Sequence, residues 1–155
     1  MEERILAVDY GRRRVGLALS DPTGTLATGL ETLVITGRRD AVEKIAAGRA
    51  RWEFGRVVVG LPIEASGAQG EMAAEVLRFV EQLRAACPVP VETIDERFTS
   101  VEATRLFHES GRHIKGRKGD IDRIAAELIL NQYLDRRQAQ RSRGIEAKQD
   151  DDDRG

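Results

Sequence analysis

The sequence predicts an α/β fold in which a mixed five-stranded sheet is flanked by helices. Three observations lead to this prediction: a buried apolar run near the N-terminus, a glycine-bounded turn into a second strand, and two later strands that each follow an amphipathic helix. Because helical crossovers join parallel strands, we expect strands one, four and five to be parallel and strands one to three to form an antiparallel meander. The predicted order is β-β-β-α-β-α-β-α-α.

The meander occupies the first part of the chain. Residues 5–8 are an apolar run typical of a fully buried strand, and a tight turn with three arginines leads into a second strand at residues 15–19. A turn at residues 21–24 precedes a third strand at residues 26–35. The later predicted elements are a helix at 40–51, a strand at 57–59, a helix whose apolar stripe runs through 72–83, a strand at 89–94, a helix at 99–107 and a helix at 120–137.

Length and composition indicate one globular domain. The chain has 155 residues, of which 41% are hydrophobic and 33% charged. Its single cysteine, Cys87, cannot form an internal disulfide, and the sequence has neither a leader-like segment nor an apolar stretch of the roughly 20 residues that span a bilayer. We therefore expect a cytoplasmic protein that does not enter a membrane, with a domain at residues 1–137 and a disordered charged tail at 138–155.

The charges are unevenly distributed. The net charge is −1, but four acids stand at residues 150–153, so residues 1–149 carry about +2. Basic clusters stand at residues 12–14, 38–39, 113–118 and 136–143. This distribution is compatible with binding a nucleic-acid backbone, although a solvated surface of mixed charge would look the same.

Acidic residues follow two of the predicted parallel strands. Asp9 ends the first, where a carboxylate is costly without a partner cation, and Asp95 and Glu96 end the fifth. The carboxyl ends of parallel strands meet at one edge of a sheet, which is where ligands bind in such folds. Because Asp95 and Glu96 point to opposite faces, only one can join Asp9, and periodicity does not choose between them.

A third acid comes from the last predicted helix. Asp122 lies on the same stripe as Ala125, Ala126 and Ile129, so it points inward, whereas Asp120 has the position of an N-cap. Three carboxylates form an oxygen-donor site suited to Mg²⁺ or Mn²⁺, and such a site can hydrolyse a phosphodiester. Asp95 and Glu96 could instead begin a solvated loop, and Asp122 could be only a favourable first-turn acid.

Four motifs together resemble the YqgF/RuvX family of the RNase H-like superfamily, over about residues 4–137. They are Ala7-Val8-Asp9-Tyr10-Gly11 with Arg14 and Gly16, Gly60-Leu61-Pro62, Asp95-Glu96-Arg97-Phe98-Thr99, and Asp122 before Ala125-Ala126. The resemblance implies an RNase H-like fold and a cytoplasmic bacterial nuclease that trims the 5′ end of precursor 16S rRNA in ribosome biogenesis.

The resemblance also implies roles for particular residues. Asp9, Glu96 and Asp122 match the family's acidic catalytic positions, which would also hold the metal, and the choice of Glu96 over Asp95 rests on the family pattern. The implied nucleic-acid contacts are Arg12, Arg13, Arg14, Arg97, Lys115, Arg117 and Lys118.

Several alternatives stay open. The expected partner is RNA, as precursor rRNA free or on the small ribosomal subunit, and the expected state is a monomer or weak homodimer. A Holliday junction resolvase acting on branched DNA would need the same acids. A non-catalytic RNA-binding ribosome-assembly factor would need only the basic rim, and Asp95 or Asp120 could contribute to the metal site.

Overall fold

The described part of the chain is built around a five-stranded sheet. The computed structural model describes residues 3–62, 70–96 and 118–153, and within the last range it describes the side chains of residues 121–142. In chain order the elements are β1 (Arg4–Tyr10), β2 (Arg14–Ser20), β3 (Ala27–Val34), α1 (Arg38–Ala47), α2 (Arg49–Trp52), β4 (Phe54–Pro62), α3 (Glu71–Ala86), β5 (Val91–Glu96) and α4 (Lys118–Asp153).

The strand order is β3-β2-β1-β4-β5. β1 pairs antiparallel with β2 and parallel with β4, β2 pairs antiparallel with β3, and β4 pairs parallel with β5. The predicted mixed sheet is therefore confirmed. It brings the carboxyl ends of β1, β4 and β5 to one edge.

Alternate residues of β1 bury two separate cores. Leu6 and Val8 belong to the core under α1 and α3, whereas Ile5 and Ala7 belong to the core under α4. All four are 0% exposed, and burying a large apolar side chain contributes about 1.5–3 kcal/mol. The same alternation places Asp9, the next odd-numbered residue, on the α4 face.

Two of the later strands have bounds that differ from the prediction. β5 begins at Val91 rather than residue 89 because Pro88 and Pro90 have no N–H for the ladder, although the Pro90 carbonyl accepts a bond from Val57 N at 2.9 Å. β4 is longer than residues 57–59 because it pairs with strands on both sides.

The predicted helix at residues 40–51 is two helices. α1 ends at Ala47, and after Gly48 the short α2 brings Trp52 back onto that glycine, where a Cβ would lie 2.2 Å from the indole ring. Glu53 then adopts φ 53°, a left-handed conformation that ends α2 and turns the chain into β4.

The last helix begins at Lys118 and continues to Asp153, beyond the predicted range of 120–137. Residues 138–143 are mostly good helix formers, which explains the continuation past Arg137. Asp120 therefore lies within the first turn, and the N-cap prediction for it is wrong. The separate prediction that residues 138–155 form a disordered charged tail outside the domain stays a prediction.

Part of the sequence-based interpretation lies outside the described residues. It comprises the helix at residues 99–107, the basic loop at 113–117 with Lys115 and Arg117, Arg97, and the side chain of Lys118. Among the parts of the chain that are described, no helix has the length and apolarity needed to cross a membrane.

Candidate active site

Asp9 lies near the carboxyl end of β1, partly buried beneath α4. Asp9 pairs with Gly16 on the neighbouring strand β2. On the other side of β1, the preceding residue Val8 pairs with Val59 of β4, which Gly60 follows. Asp9 therefore lies between two glycines, Gly16 and Gly60, on the central strand of the sheet. Neither glycine has a side chain to cover the carboxylate.

Of the two adjacent acids at the carboxyl end of β5, Glu96 is the one on the α4 face with Asp9. It follows Ile94, a member of the core under α4, by two residues. Asp95 is exposed on the opposite face. A Cβ added to Gly60 would lie 2.5 Å from Glu96 Oε2, so the carboxylate rests directly on that glycine. The arrangement matches the choice of Glu96 that the family pattern implied.

Asp122 reaches the same edge from α4. A Cβ on Gly16 would lie 2.1 Å from the Asp122 carbonyl oxygen and 3.0 Å from its Cβ. The bare backbone of β2 thus lets the first turns of α4 approach the sheet. Ala125 and Ala126 are buried one turn later, as the stripe of small residues predicted.

Glu96 and Asp122 lie close enough to Asp9 to change its pKa. The pKa of Asp9 is raised well above its usual range, first by burial and then by the negative charges of Glu96 and Asp122. Two like charges close enough to shift Asp9 make the ionised cluster unfavourable by itself. A bound cation would relieve that repulsion.

The donor chemistry fits a hard divalent cation, because all three groups are carboxylates, and Gly16 and Gly60 let Asp122 and Glu96 come close to the sheet. Within residues 3–62, 70–96 and 121–142, however, no three acidic, histidine or cysteine side chains already form a cation cage. Asp122 Oδ2 accepts a hydrogen bond from Arg14 Nε at 2.8 Å.

The three arginines of the β1–β2 turn have different surroundings. Arg14 pairs with Asp122 on the α4 face, whereas Arg12 forms a two-pronged ion pair with Glu75 of α3, with Nε 3.0 Å from Oε2 and Nη2 3.0 Å from Oε1. The bond to Arg12 is the first cause of the lowered pKa of Glu75. Arg13 is exposed. The predicted contacts are therefore split between two sides of the sheet.

Sequence reasoning missed the partners of two of these arginines. Nothing in the spacing along the chain marked Glu75 as the partner of Arg12. Gly16 was interpreted as a boundary of the turn. A glycine inside a strand is itself a signal that another backbone comes close, and here that backbone belongs to Asp122.

A cavity of about 360 Å³ lies elsewhere, between the turn after β2 and the later part of α4. Its lining includes Glu3, Thr25, Asn131 and Arg141. Glu3 precedes β1, whereas Asp9 lies near its carboxyl end, so the cavity is remote from the carboxylates. It plays no part in the site.

With this geometry established, comparison with known proteins identifies the family. Residues 3–136 match the family described as "RuvX: Holliday junction resolvase". The chain belongs to the RuvX family. Among its relatives, a protein of Koribacter versatilis named "Putative pre-16S rRNA nuclease" is 43% identical over 134 residues, covering 86% of this chain and 88% of the relative. A protein of the same name from Thermoanaerobacter pseudethanolicus is 40% identical, covering 85% and 96%.

Holliday junction resolvases are among the solved structures with a similar fold. Thermus thermophilus RuvC in complex with a Holliday junction substrate has a TM-score of 0.51 and 17% identity, covering 88% of this RuvX-family chain and 96% of RuvC. The fowlpox virus Holliday junction resolvase has a TM-score of 0.52 and 15% identity, covering 85% and 98%. At these identities the likeness concerns the fold alone, and it confirms the RNase H-like prediction.

Proposed function

We propose that this protein is a divalent-metal-dependent nuclease that hydrolyses RNA phosphodiester bonds and processes the 5′ end of precursor 16S rRNA in the cytoplasm. The observation that carries the proposal is the convergence of Asp9, Glu96 and Asp122 at one sheet edge, where the latter two raise the pKa of Asp9. The names of relatives about 40% identical over most of the chain support the choice of RNA.

In this proposal Asp9, Glu96 and Asp122 would hold Mg²⁺ or Mn²⁺. The bound metal would supply an activated water for attack on the phosphorus and would stabilise the leaving oxygen. Asp9 comes from the central strand of the sheet, so its position is fixed by the two cores on either side. Glu96 and Asp122 come from separate elements, so the folded chain is needed to assemble the set.

The protein's cations would position the RNA strand. Arg13 is exposed beside the site, and Arg12 remains 61% exposed although paired with Glu75, so both can meet phosphate oxygens. The further proposed contacts are Arg97, Lys115, Arg117 and Lys118, and Arg14, which the resemblance also implied as a contact, is paired with Asp122. The proposed state is a monomer or a weak homodimer.

Cleavage of a four-way DNA junction is the second candidate function. The description of the RuvX family favours it, and the same three carboxylates would serve it. The two functions differ in geometry, because a junction presents two related strands and favours a symmetric dimer. A single RNA 5′ end makes no such demand.

A two-substrate assay separates these candidates. Purified protein and its Asp9→Asn variant are incubated with a precursor 16S rRNA fragment and with a four-way DNA junction, with and without Mg²⁺ or Mn²⁺. We expect metal-dependent cleavage of the RNA that Asp9→Asn loses. Preferential cleavage of the junction would favour the resolvase function, and RNA binding without cleavage would indicate an assembly factor. Equal cleavage by the variant would refute the site.

A further inference from the structure

The ion pair between Arg14 and Asp122 joins the start of β2 to the first turns of α4. Arg14 Nε donates to Asp122 Oδ2 at 2.8 Å, and the two side chains are 41% and 23% exposed. Arg14 shares the α4 face with Gly16, which lies two residues later on the strand. It therefore stands on the same side of the sheet as Asp9.

β2 holds Asp122 in two ways. The backbone of Asp122 packs against Gly16, where a Cβ added to the glycine would lie 2.1 Å from the Asp122 carbonyl oxygen. Arg14 donates a hydrogen bond to one oxygen of the Asp122 carboxylate. A carboxylate has two oxygens, so a side chain held through Oδ2 can still offer Oδ1 to another partner. Asp122 and Glu96 both raise the pKa of Asp9 by their negative charge, so the Asp122 carboxylate stands close to Asp9.

We propose that Arg14 is a positioning residue for metal binding: it fixes the Asp122 carboxylate through Oδ2 so that Oδ1 can face a divalent cation shared with Asp9 and Glu96. This inference rests on the proposed metal site. Groups that hydrogen-bond a ligating carboxylate orient it, and their loss typically weakens metal affinity about 10–100-fold. Arg14 thereby acts on the metal through Asp122 rather than by gripping a phosphate.

The sign of the effect distinguishes this role from simple electrostatics. Removing a positive charge near three carboxylates would, through charge alone, strengthen the binding of a cation. Removing a positioning group weakens it. A competitor role, in which Arg14 must release Asp122 before metal enters, also predicts tighter binding after its removal.

The experiment measures Mn²⁺ affinity by isothermal titration in the full-length protein without nucleic acid. Arg14→Met keeps the length of the side chain but removes charge and donor, and we expect its Mn²⁺ Kd to rise about 10–100-fold. Arg14→Lys keeps a donor and the charge and should recover part of the loss. The matched control is Arg84→Met, because Arg84 bonds to the Val91 carbonyl at 2.9 Å, at the opposite end of β5 from Glu96. Its affinity should equal that of the parent protein.

Asp9→Asn distinguishes a failure of the proposed metal site from a failure of the positioning role of Arg14. If Asp9→Asn binds Mn²⁺ as tightly as the parent, the metal site itself is refuted. If Asp9→Asn loses Mn²⁺ while Arg14→Met binds it with parental or greater affinity, only the positioning role is overturned. Thermal unfolding without metal checks that each variant is folded, and Arg14→Lys decides the question if Arg14→Met is not.

Discussion

Gly16→Ala is the substitution that most sharply tests how β2 places Asp122. The added Cβ would lie 2.1 Å from the Asp122 carbonyl oxygen and 2.5 Å from its carbonyl carbon. Both are backbone atoms of α4, so no side-chain rotation can relieve the contact. The helix must move away by about 0.9 Å to restore even a 3.0 Å separation, the shortest that Cβ atoms tolerate.

That displacement has two consequences of predictable size. Overpacking of this kind typically costs about 1–3 kcal/mol, and each kcal/mol lowers Tm by about 2–4 °C in a chain of this length. We therefore expect Tm to fall by about 4–8 °C for a loss near 2 kcal/mol. Misplacing a group at the reaction centre by about 1 Å can also reduce activity about 100-fold, and Asp122 would be so misplaced.

The assay combines thermal unfolding with RNA cleavage under single-turnover conditions. Gly37→Ala is the control, because a Cβ there meets nothing within 4 Å and its φ of 169° is extended backbone. Gly37 is the N-cap of α1, so the control should cost less than about 1 kcal/mol. Parental Tm and cleavage in Gly16→Ala would refute the close approach of α4 to β2.

Three further predictions test the site and its support. Glu96→Gln should reduce RNA cleavage to the metal-free background. Asp95→Asn, which alters the opposite face of the sheet, should cleave like the parent. The reverse result would show that Asp95 and not Glu96 belongs to the site. Ile129→Ala should lower the free energy of unfolding in urea by about 2–5 kcal/mol because its side chain is 0% exposed, and a loss below about 1 kcal/mol would contradict that packing. Burial, followed by the bond to Glu92, raises the pKa of Tyr133 to about 12. The folded protein therefore favours the neutral phenol of Tyr133. The stability that this phenol contributes is fully present below pH ~10, the ordinary pKa of tyrosine, and is lost as the pH rises through about 12, its pKa in the fold. Tyr133→Phe should remove the phenolate absorbance change near pH 12, and its persistence would contradict the assignment.

The sheet could be predicted because its information is local. The run at residues 5–8 is apolar on both faces, which identifies a central strand, and helical crossovers dictate that the later strands run parallel to it. The break at Gly48 could not be anticipated, since it depends on the ring of Trp52 packing against that glycine in the folded state.

The site was predictable in composition but not in all its contacts. Asp9 and Asp122 were identified by an apolar strand end and a helical stripe. Choosing Glu96 needed either the family pattern or the knowledge that Ile94 packs under α4. The bond from Arg14 to Asp122 joins residues 108 positions apart, so spacing along the chain carries no trace of it.

The most direct test of the central claim is the anomalous diffraction signal of Mn²⁺ in crystals of the protein soaked with that ion. We expect a peak within coordination distance of carboxylate oxygens of Asp9, Glu96 and Asp122, and we expect the peak to be lost in Asp9→Asn crystals. A parent protein that cleaves RNA while its crystals show no Mn²⁺ at these three side chains would contradict the account.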